Sequence, residues 1–452
     1  MPRTLVCVES PHKAKVIGDI LGKDFVVLPT VGHFKEMPLK KSMTKEEKEK
    51  YGDFAIDVSH DFEPLYRVAP GKAKVLKAFR DAIKTVDDIV IATDPDSEGA
   101  AIGYLLIDEL KPKKPTYRAT WNEITEKAVR EGLRNKKLIS MEKREPKEFF
   151  DTANSALARA SWDRLFGFSV TPFVWKAMGM ANLSAGRVQS PGARLVVERE
   201  IQRLEFVSVE FYTITGVFTF DGEDIEAQLI SYKGQSIANS SHIDENGNVK
   251  DGFLLITGDN IDDIVKDVEK NLDYVVSDVS SKPYRRTPPP PFTTSSALQS
   301  IGAKTGWSSK QLTSIFQDLY QSGHISYIRT VSVMAAPEAV EAARRGIVSQ
   351  FGKTFVSPVE RVYKDKKTGN SGHECIRPTL DEKGNLVSPN VTDSKQAIVF
   401  DLIKKRMMAS QSIDCTGTSY TVTVSNGDAV FSSSETEIEN PGWTTIYAED
   451  KN

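Results

Sequence analysis

Tyr327 stands in His324-Ile325-Ser326-Tyr327-Ile328-Arg329-Thr330, with an arginine two residues on. A phenol has an ordinary pKa near ~10 and needs help to attack phosphate. A guanidinium beside it can neutralise phosphate oxygens and favour the phenolate. Far upstream lies Asp94-Pro95-Asp96-Ser97-Glu98-Gly99. Three carboxylates at alternate positions suit Mg²⁺, which takes oxygen ligands and keeps part of its water. Glu9 occupies a parallel position after the first apolar run and could protonate a departing sugar oxygen. Lys13, Arg159, Arg187 and Arg377 are candidate phosphate contacts, and His33 and His373 candidate polar neighbours. A nucleophilic tyrosine, a phosphate clamp and a cation site together imply breakage and rejoining of a nucleic-acid strand through a covalent phosphotyrosine.

The elements that must position these residues can be read from local patterns. Thr4 to Val8 is a continuous apolar run, so a buried strand. Ser10-Pro11 then opens a helix, with serine as N-cap and proline at the first helical position. Asp87 to Thr93 reads as a second buried strand, followed by a helix from Glu98 to Leu110. Strands alternating with helices imply a parallel sheet, whose ligands collect beyond the carboxyl ends of the strands. Glu9, Asp94 and Asp96 all fall at such ends. Near the tyrosine, Ser308 and Gln311 fit a capping box, Leu312, Ile315, Phe316 and Leu319 share a face, and Gly323 suits the C′ position. Tyr320 continues that apolar stripe and reads as core. His324 to Thr330 reads as a short strand, which would put Tyr327 and Arg329 on one face.

Four stretches follow: 1–150 α/β; 151–207 helical; 208–280 with 397–452 rich in strands; and an insertion, 281–396, entered through Pro288 to Pro291 and resembling a winged helix. The 452 residues are 39% hydrophobic and 27% charged, with a formal net charge of −3. That balance does not decide for or against nucleic acid, because a local basic groove can bind phosphate on a neutral protein. The three cysteines form no C-x-x-C, which disfavours zinc and a disulfide framework and points to a reducing compartment. No apolar run is long enough for a membrane span.

The chain resembles the type IA DNA topoisomerases. Val8-Glu9-Ser10-Pro11-His12-Lys13-Ala14-Lys15 looks like the opening of their Toprim domain. Gly32-His33-Phe34-Lys35-Glu36-Met37-Pro38, Asp61-Phe62-Glu63-Pro64, Asp94 to Gly99 and Asn122-Glu123-Ile124-Thr125 follow in family order. So do Leu183 to Ser190, Pro291-Phe292-Thr293-Thr294-Ser295, Tyr327-x-Arg329-Thr330, His373 to Thr379 and Gly442-Trp443. The resemblance implies a Toprim α/β domain, a helical single-strand groove domain, a β-rich gate domain and a winged-helix-like tyrosine domain, forming a toroid-like core. It implies that Tyr327 becomes linked to a 5′ phosphate and that Arg329 stabilises the transition state. Glu9 and Lys13 would handle the proton on the 3′ oxygen. Asp94, Asp96 and Glu98, with Glu9, would hold Mg²⁺. His33, Arg159, Asp163, Ser184, Arg187, Gln189, Thr330, His373, Glu374 and Arg377 would lie along the DNA. The activity implied is ATP-independent relaxation of negatively supercoiled DNA, in the cytoplasm or at the nucleoid.

Departures from the family pattern open alternatives. Val331 stands where the family carries an acid, which predicts slower cleavage or rejoining. Ser97, Ala100 and Cys375 replace the usual arginine, glutamate and alanine. Family members continue past the Gly-Trp pair. This suggests a second polypeptide supplying that segment, so half of a split enzyme or a catalytically impaired single-strand-binding relative are the competing readings. A Toprim primase or nuclease is disfavoured by the tyrosine motif, and a reverse gyrase by the absence of a helicase module.

Overall fold

The computed structural model describes residues 3–365, 373–389 and 391–448. The chain forms two compact units. One comprises 1–187, 289–412 and 446–452; the other comprises 188–288 and 413–445.

The first unit opens on a five-stranded sheet in the order Phe25–Pro29, Thr4–Val8, Asp88–Ile91, Thr116–Arg118, Lys137–Leu138. Its first four strands are parallel and the last is antiparallel. Thr4–Val8 is fully buried, as its unbroken apolar run requires. The Pro11–Leu21 helix begins as expected: the Ser10 side chain accepts from the Lys13 N–H, and Pro11 takes the first turn. The Ser97–Leu110 helix starts one residue earlier than the sequence suggested, because Asp96 is its N-cap and accepts from the Gly99 N–H. Leu5, Cys7, Phe79, Ile91, Leu105, Phe149 and Phe150 form the core beneath. The chain leaves Thr4–Val8 toward one side of the sheet and Asp88–Ile91 lies on the other, so the switch in strand order falls between Glu9 and Asp94.

The same unit holds the tyrosine segment and helices Thr294–Thr305, Ser309–Gln321, Pro337–Phe351 and Ser394–Ala409. The capping box at Ser308 and Gln311 forms, the apolar stripe is buried, and Gly323 has φ +73. His324–Thr330, however, is not a strand. Its backbone groups bond to scattered partners: Ser326 N–H to Arg377 O, Tyr327 N–H to Asn122 O, and Thr330 N–H to the Thr294 hydroxyl. With no neighbouring strand to run along, the segment is held as an irregular connection, joined by an isolated bridge between Ile325 and Pro378.

The second unit is a seven-stranded sheet. Cys415–Ser425 and Ala429–Asn440 form its central hairpin, turned by Asn426 and Gly427 at φ +96. Val275–Arg286 pairs with Cys415–Ser425, and Glu223–Tyr232 with Ala429–Asn440. Ile264 and Val268 of the Ile261–Lys270 helix pack on Leu229 and Phe431. Two sequence boundaries cut through elements: 281 lies inside Val275–Arg286, and 396 inside Ser394–Ala409. Strand pairing and helical hydrogen bonds continue across both positions. The Gln189–Glu205 helix belongs to this second unit, and Tyr447 to the first, where its hydroxyl is 2.7 Å from Ser300 Oγ. Among the described residues no helix is long and apolar enough to cross a membrane.

Candidate active site

Three segments of the first unit converge: the ends of Thr4–Val8 and Asp88–Ile91, and the Ser309–Arg329 stretch. Glu9 Oε1 accepts from the Asp94 N–H at 2.5 Å. Lys13 Nζ lies 2.9 Å from Glu9 Oε2 and 2.5 Å from Asp94 Oδ1. Gly99 makes this approach possible. A Cβ there would lie 2.4 Å from Asp94 O and 2.9 Å from Glu9 Oε1. Beneath them, buried Arg118 donates to the carbonyls of Ile91, Thr93 and Asp94 and fixes the chain past the strand end. Its burial pushes its pKa down to about 10. Arg118 was not singled out from sequence; an arginine ending a strand carries no local mark of that role.

Tyr327 donates its hydroxyl to Asp96 Oδ2 at 2.5 Å. Arg329 Nη1 lies 3.2 Å from the same oxygen and 2.8 Å from Glu98 Oε2. His33 Nε2 is 3.3 Å from Glu98 Oε1. The Tyr327 ring stacks on His373 at 5.9 Å and meets the edge of Tyr320 at 5.3 Å. Tyr320 is core, as its apolar stripe implies. Its hydroxyl also donates to Asp94 Oδ1 at 2.9 Å, so it belongs to the site as well.

The electrostatics follow from burial beside several carboxylates. Burial, then Asp94 and Asp96, push the Tyr327 phenol far above its ordinary value, and nearby Arg329 only partly opposes this. The phenol is therefore protonated here, where sequence suggested that Arg329 would favour the phenolate. Burial and the Asp94 charge raise the Glu9 carboxyl despite Lys13. Burial also acts to raise Asp96, but hydrogen bonds from Tyr327 and Gly99 and the Arg329 charge outweigh it and hold Asp96 low.

Asp94, Asp96, Glu98 and Glu9 offer only carboxylate oxygens, the donors a hard cation takes, so they fit Mg²⁺ in kind. As arranged, each is bonded to Lys13, Arg329 or a tyrosine, and among the described residues no three acids, histidines or cysteines gather around one point. A bound cation would compete with those partners.

The remaining candidates divide by exposure. A cleft of about 660 Å³ is lined by His33, Lys35, Glu98, Arg159, Asp163 and Arg164, among others. Arg159 Nη1 is 3.5 Å from Ser97 Oγ, and Arg187 Nε 2.8 Å from Asp163 Oδ1. Ser184 lies in the same unit, in the connection after Lys147–Met178; Gln189 opens the exposed Gln189–Glu205 helix of the other unit. Arg377 departs from the expectation of a phosphate contact. It is 4% exposed and paired to Glu123 at 2.9 Å and Glu374 at 2.7 Å, so two carboxylates already use its charge. Glu374 also accepts the Ala336 N–H, and buried Thr330 caps the Ser332 N–H. These three shape the site from behind; His373 alone of that group touches Tyr327.

Comparison with known proteins identifies the family. Residues 4–124 match the Toprim domain, and residues 147–452 match the family described as DNA topoisomerase. The chain belongs to the type IA DNA topoisomerase family. It is 36% identical to DNA topoisomerase 1 of Streptomyces coelicolor, over 99% of this chain and 47% of that protein. It is 34% identical to DNA topoisomerase 1 of Synechococcus elongatus, over 99% of this chain and 50% of that one. The structure of full-length topoisomerase I from Thermotoga maritima superposes with a TM-score of 0.74 at 29% identity, covering 99% of this chain and 68% of that chain. The type IA chain thus spans about half the length of the curated relatives it matches, and the comparisons give no support to a second polypeptide. Its Toprim domain is of a metal-binding kind.

Proposed function

We propose that this chain carries the cleavage and rejoining chemistry of an ATP-independent DNA topoisomerase acting on single-stranded or negatively supercoiled DNA. The observation that carries the reading is the Tyr327 hydroxyl, bonded to Asp96 and flanked by Arg329, at the switch point of a Toprim sheet. The phenol oxygen attacks a backbone phosphorus, and its proton passes along the 2.5 Å bond toward Asp96. The phosphorus–3′ oxygen bond breaks. Glu9, raised by burial and the Asp94 charge and in contact with Lys13, supplies the proton that the 3′ oxygen takes up. The product is a 5′-phosphotyrosine and a free 3′ hydroxyl, and the reverse steps rejoin the strand. Since the phosphotyrosine conserves the bond energy, no nucleotide triphosphate is needed. The phosphate must draw Arg329 from Glu98, exchanging one anion for another at the same guanidinium.

Asp94, Asp96 and Glu98, with Glu9 beside them, would hold Mg²⁺, which neutralises charge on the phosphate when bound. Arg159, Asp163, Arg187, His33 and Ser184 would line the path of the strand, and Gln189, in the other unit, would be a separate DNA contact. The four-part organisation expected from sequence, 1–150, 151–207, 208–280 with 397–452, and 281–396, remains the proposed domain plan within the two compact units.

The test uses single-stranded DNA labelled at either end, quenched with denaturant. A covalent adduct carrying the fragment 3′ of the break is expected, and Tyr327→Phe should abolish it. Binding without any adduct, with or without Mg²⁺, would instead favour the impaired single-strand-binding relative.

A further inference from the structure

We infer that Tyr320 is a positioning residue for the Tyr327 reaction, acting through Asp94; this rests on the reading just proposed. The Ser309–Gln321 helix delivers Tyr320 to the same pocket as the nucleophile, seven residues before it. Two tyrosines then meet two acids of one motif in the same way: Tyr320 donates to Asp94 at 2.9 Å, and Tyr327 to Asp96 at 2.5 Å. Tyr320 is 0% exposed. Its phenol is therefore sealed from substrate and cannot itself attack a phosphate.

Its contacts have the form of a brace. Asp94 Oδ1 receives both the Tyr320 hydroxyl and Lys13 Nζ. Lys13 sits 5.1 Å from the Tyr320 ring centroid and also holds Glu9. The Tyr320 ring also meets the Tyr327 ring edge-on, at 71°. One side chain thus touches the acid, the lysine and the nucleophile. A carboxylate on a short side chain has few χ states, and two donors from different elements select one of them. A purely structural tyrosine would need only its ring. The hydroxyl is what ties the helix that precedes the nucleophile to the Toprim strand end, so it sets the register between Tyr327 and the Glu9–Lys13–Asp94 cluster.

Tyr320→Phe keeps the ring and removes only that tie. The single-turnover rate of adduct formation on a single-stranded oligonucleotide should fall about tenfold, the size of one charge-assisted hydrogen bond. The oligonucleotide dissociation constant should stay at its parental value, and the melting temperature should fall by no more than the loss of one buried hydrogen bond costs. An unchanged rate would overturn the inference, and so would a loss that tracks weaker binding or a smaller folded fraction at the assay temperature. A crystal structure of the same variant decides independently of activity. The Asp94 carboxylate should turn away from the phenyl ring; if Lys13 alone holds it in place, the brace does not exist. Should the parent form no adduct, the proposed chemistry fails, while the Asp94 rotamer still decides what Tyr320 does.

Discussion

At the level of single residues, the site depends on close approach between acids, and Gly99 is where that approach is most sensitive. A methyl group there would press on the Asp94 backbone and the Glu9 carboxylate, neither of which is the free end of a flexible chain. Gly99→Ala should therefore cost about 1–3 kcal/mol in urea unfolding and should slow adduct formation more than it weakens DNA binding. Val331 is the opposite case. Its family counterpart is an acid, which suggested that Arg329 lacks an orienting charge. In the structure Arg329 is already held by Asp96 and Glu98, and Val331 is 76% exposed. An added carboxylate would be an exposed partner worth at most ~1 kcal/mol. Val331→Asp should change cleavage and rejoining rates by no more than about fivefold. A larger gain in a quench-flow comparison would mean the missing acid does matter.

At the level of elements, legibility tracked how local each signal was. The buried strands were readable from their unbroken apolar runs, and the Ser10 and Ser308 caps and the Gly323 turn because their partners lie three residues away. The strand ends were readable too, since a parallel sheet gathers ligands there whatever its sequence. The burial of Tyr320 was readable, but an apolar stripe does not reveal a hydroxyl that finds a partner 226 residues away. Arg377 was misjudged for the same reason: its partner Glu123 is 254 residues away. The tyrosine segment illustrates both faults. Its alternation resembles a strand, yet Ser326 clamps it sideways to Cys375–Arg377, donating to Cys375 O at 2.8 Å and accepting from Arg377 N–H at 3.0 Å. Both atoms are buried, so Ser326→Ala leaves a donor and an acceptor unpaired. The loss should be about 1–3 kcal/mol, and amide exchange at Tyr327 should accelerate more than at Leu312. Equal protection at both amides would mean that the clamp is redundant.

At the scale of the molecule, a net charge of −3 must be reconciled with a nucleic-acid substrate. The Lys147–Met178 helix offers the means. It carries Trp162 and Phe173, 56% and 73% exposed, alongside Arg159. Trp162 stacks on Phe166 at 6.4 Å, leaving an aromatic face open. Arg187 is exposed but already paired with Asp163, and Arg377 is buried. Two of the candidate phosphate contacts are therefore already committed, which leaves stacking a share of the affinity to supply. The two contributions separate by salt. Each phosphate contact adds about −0.7 to the slope of log K against log salt on a single strand, whereas stacking adds about 1–3 kcal/mol per base with little salt dependence. Arg159→Gln should flatten the slope by about 0.7. Trp162→Ala should weaken binding by about 1–3 kcal/mol at every salt concentration and leave the slope unchanged. Fluorescence anisotropy of a labelled oligonucleotide across a salt series reads both. If Trp162→Ala flattened the slope while Arg159→Gln did not, the strand would not follow this helix.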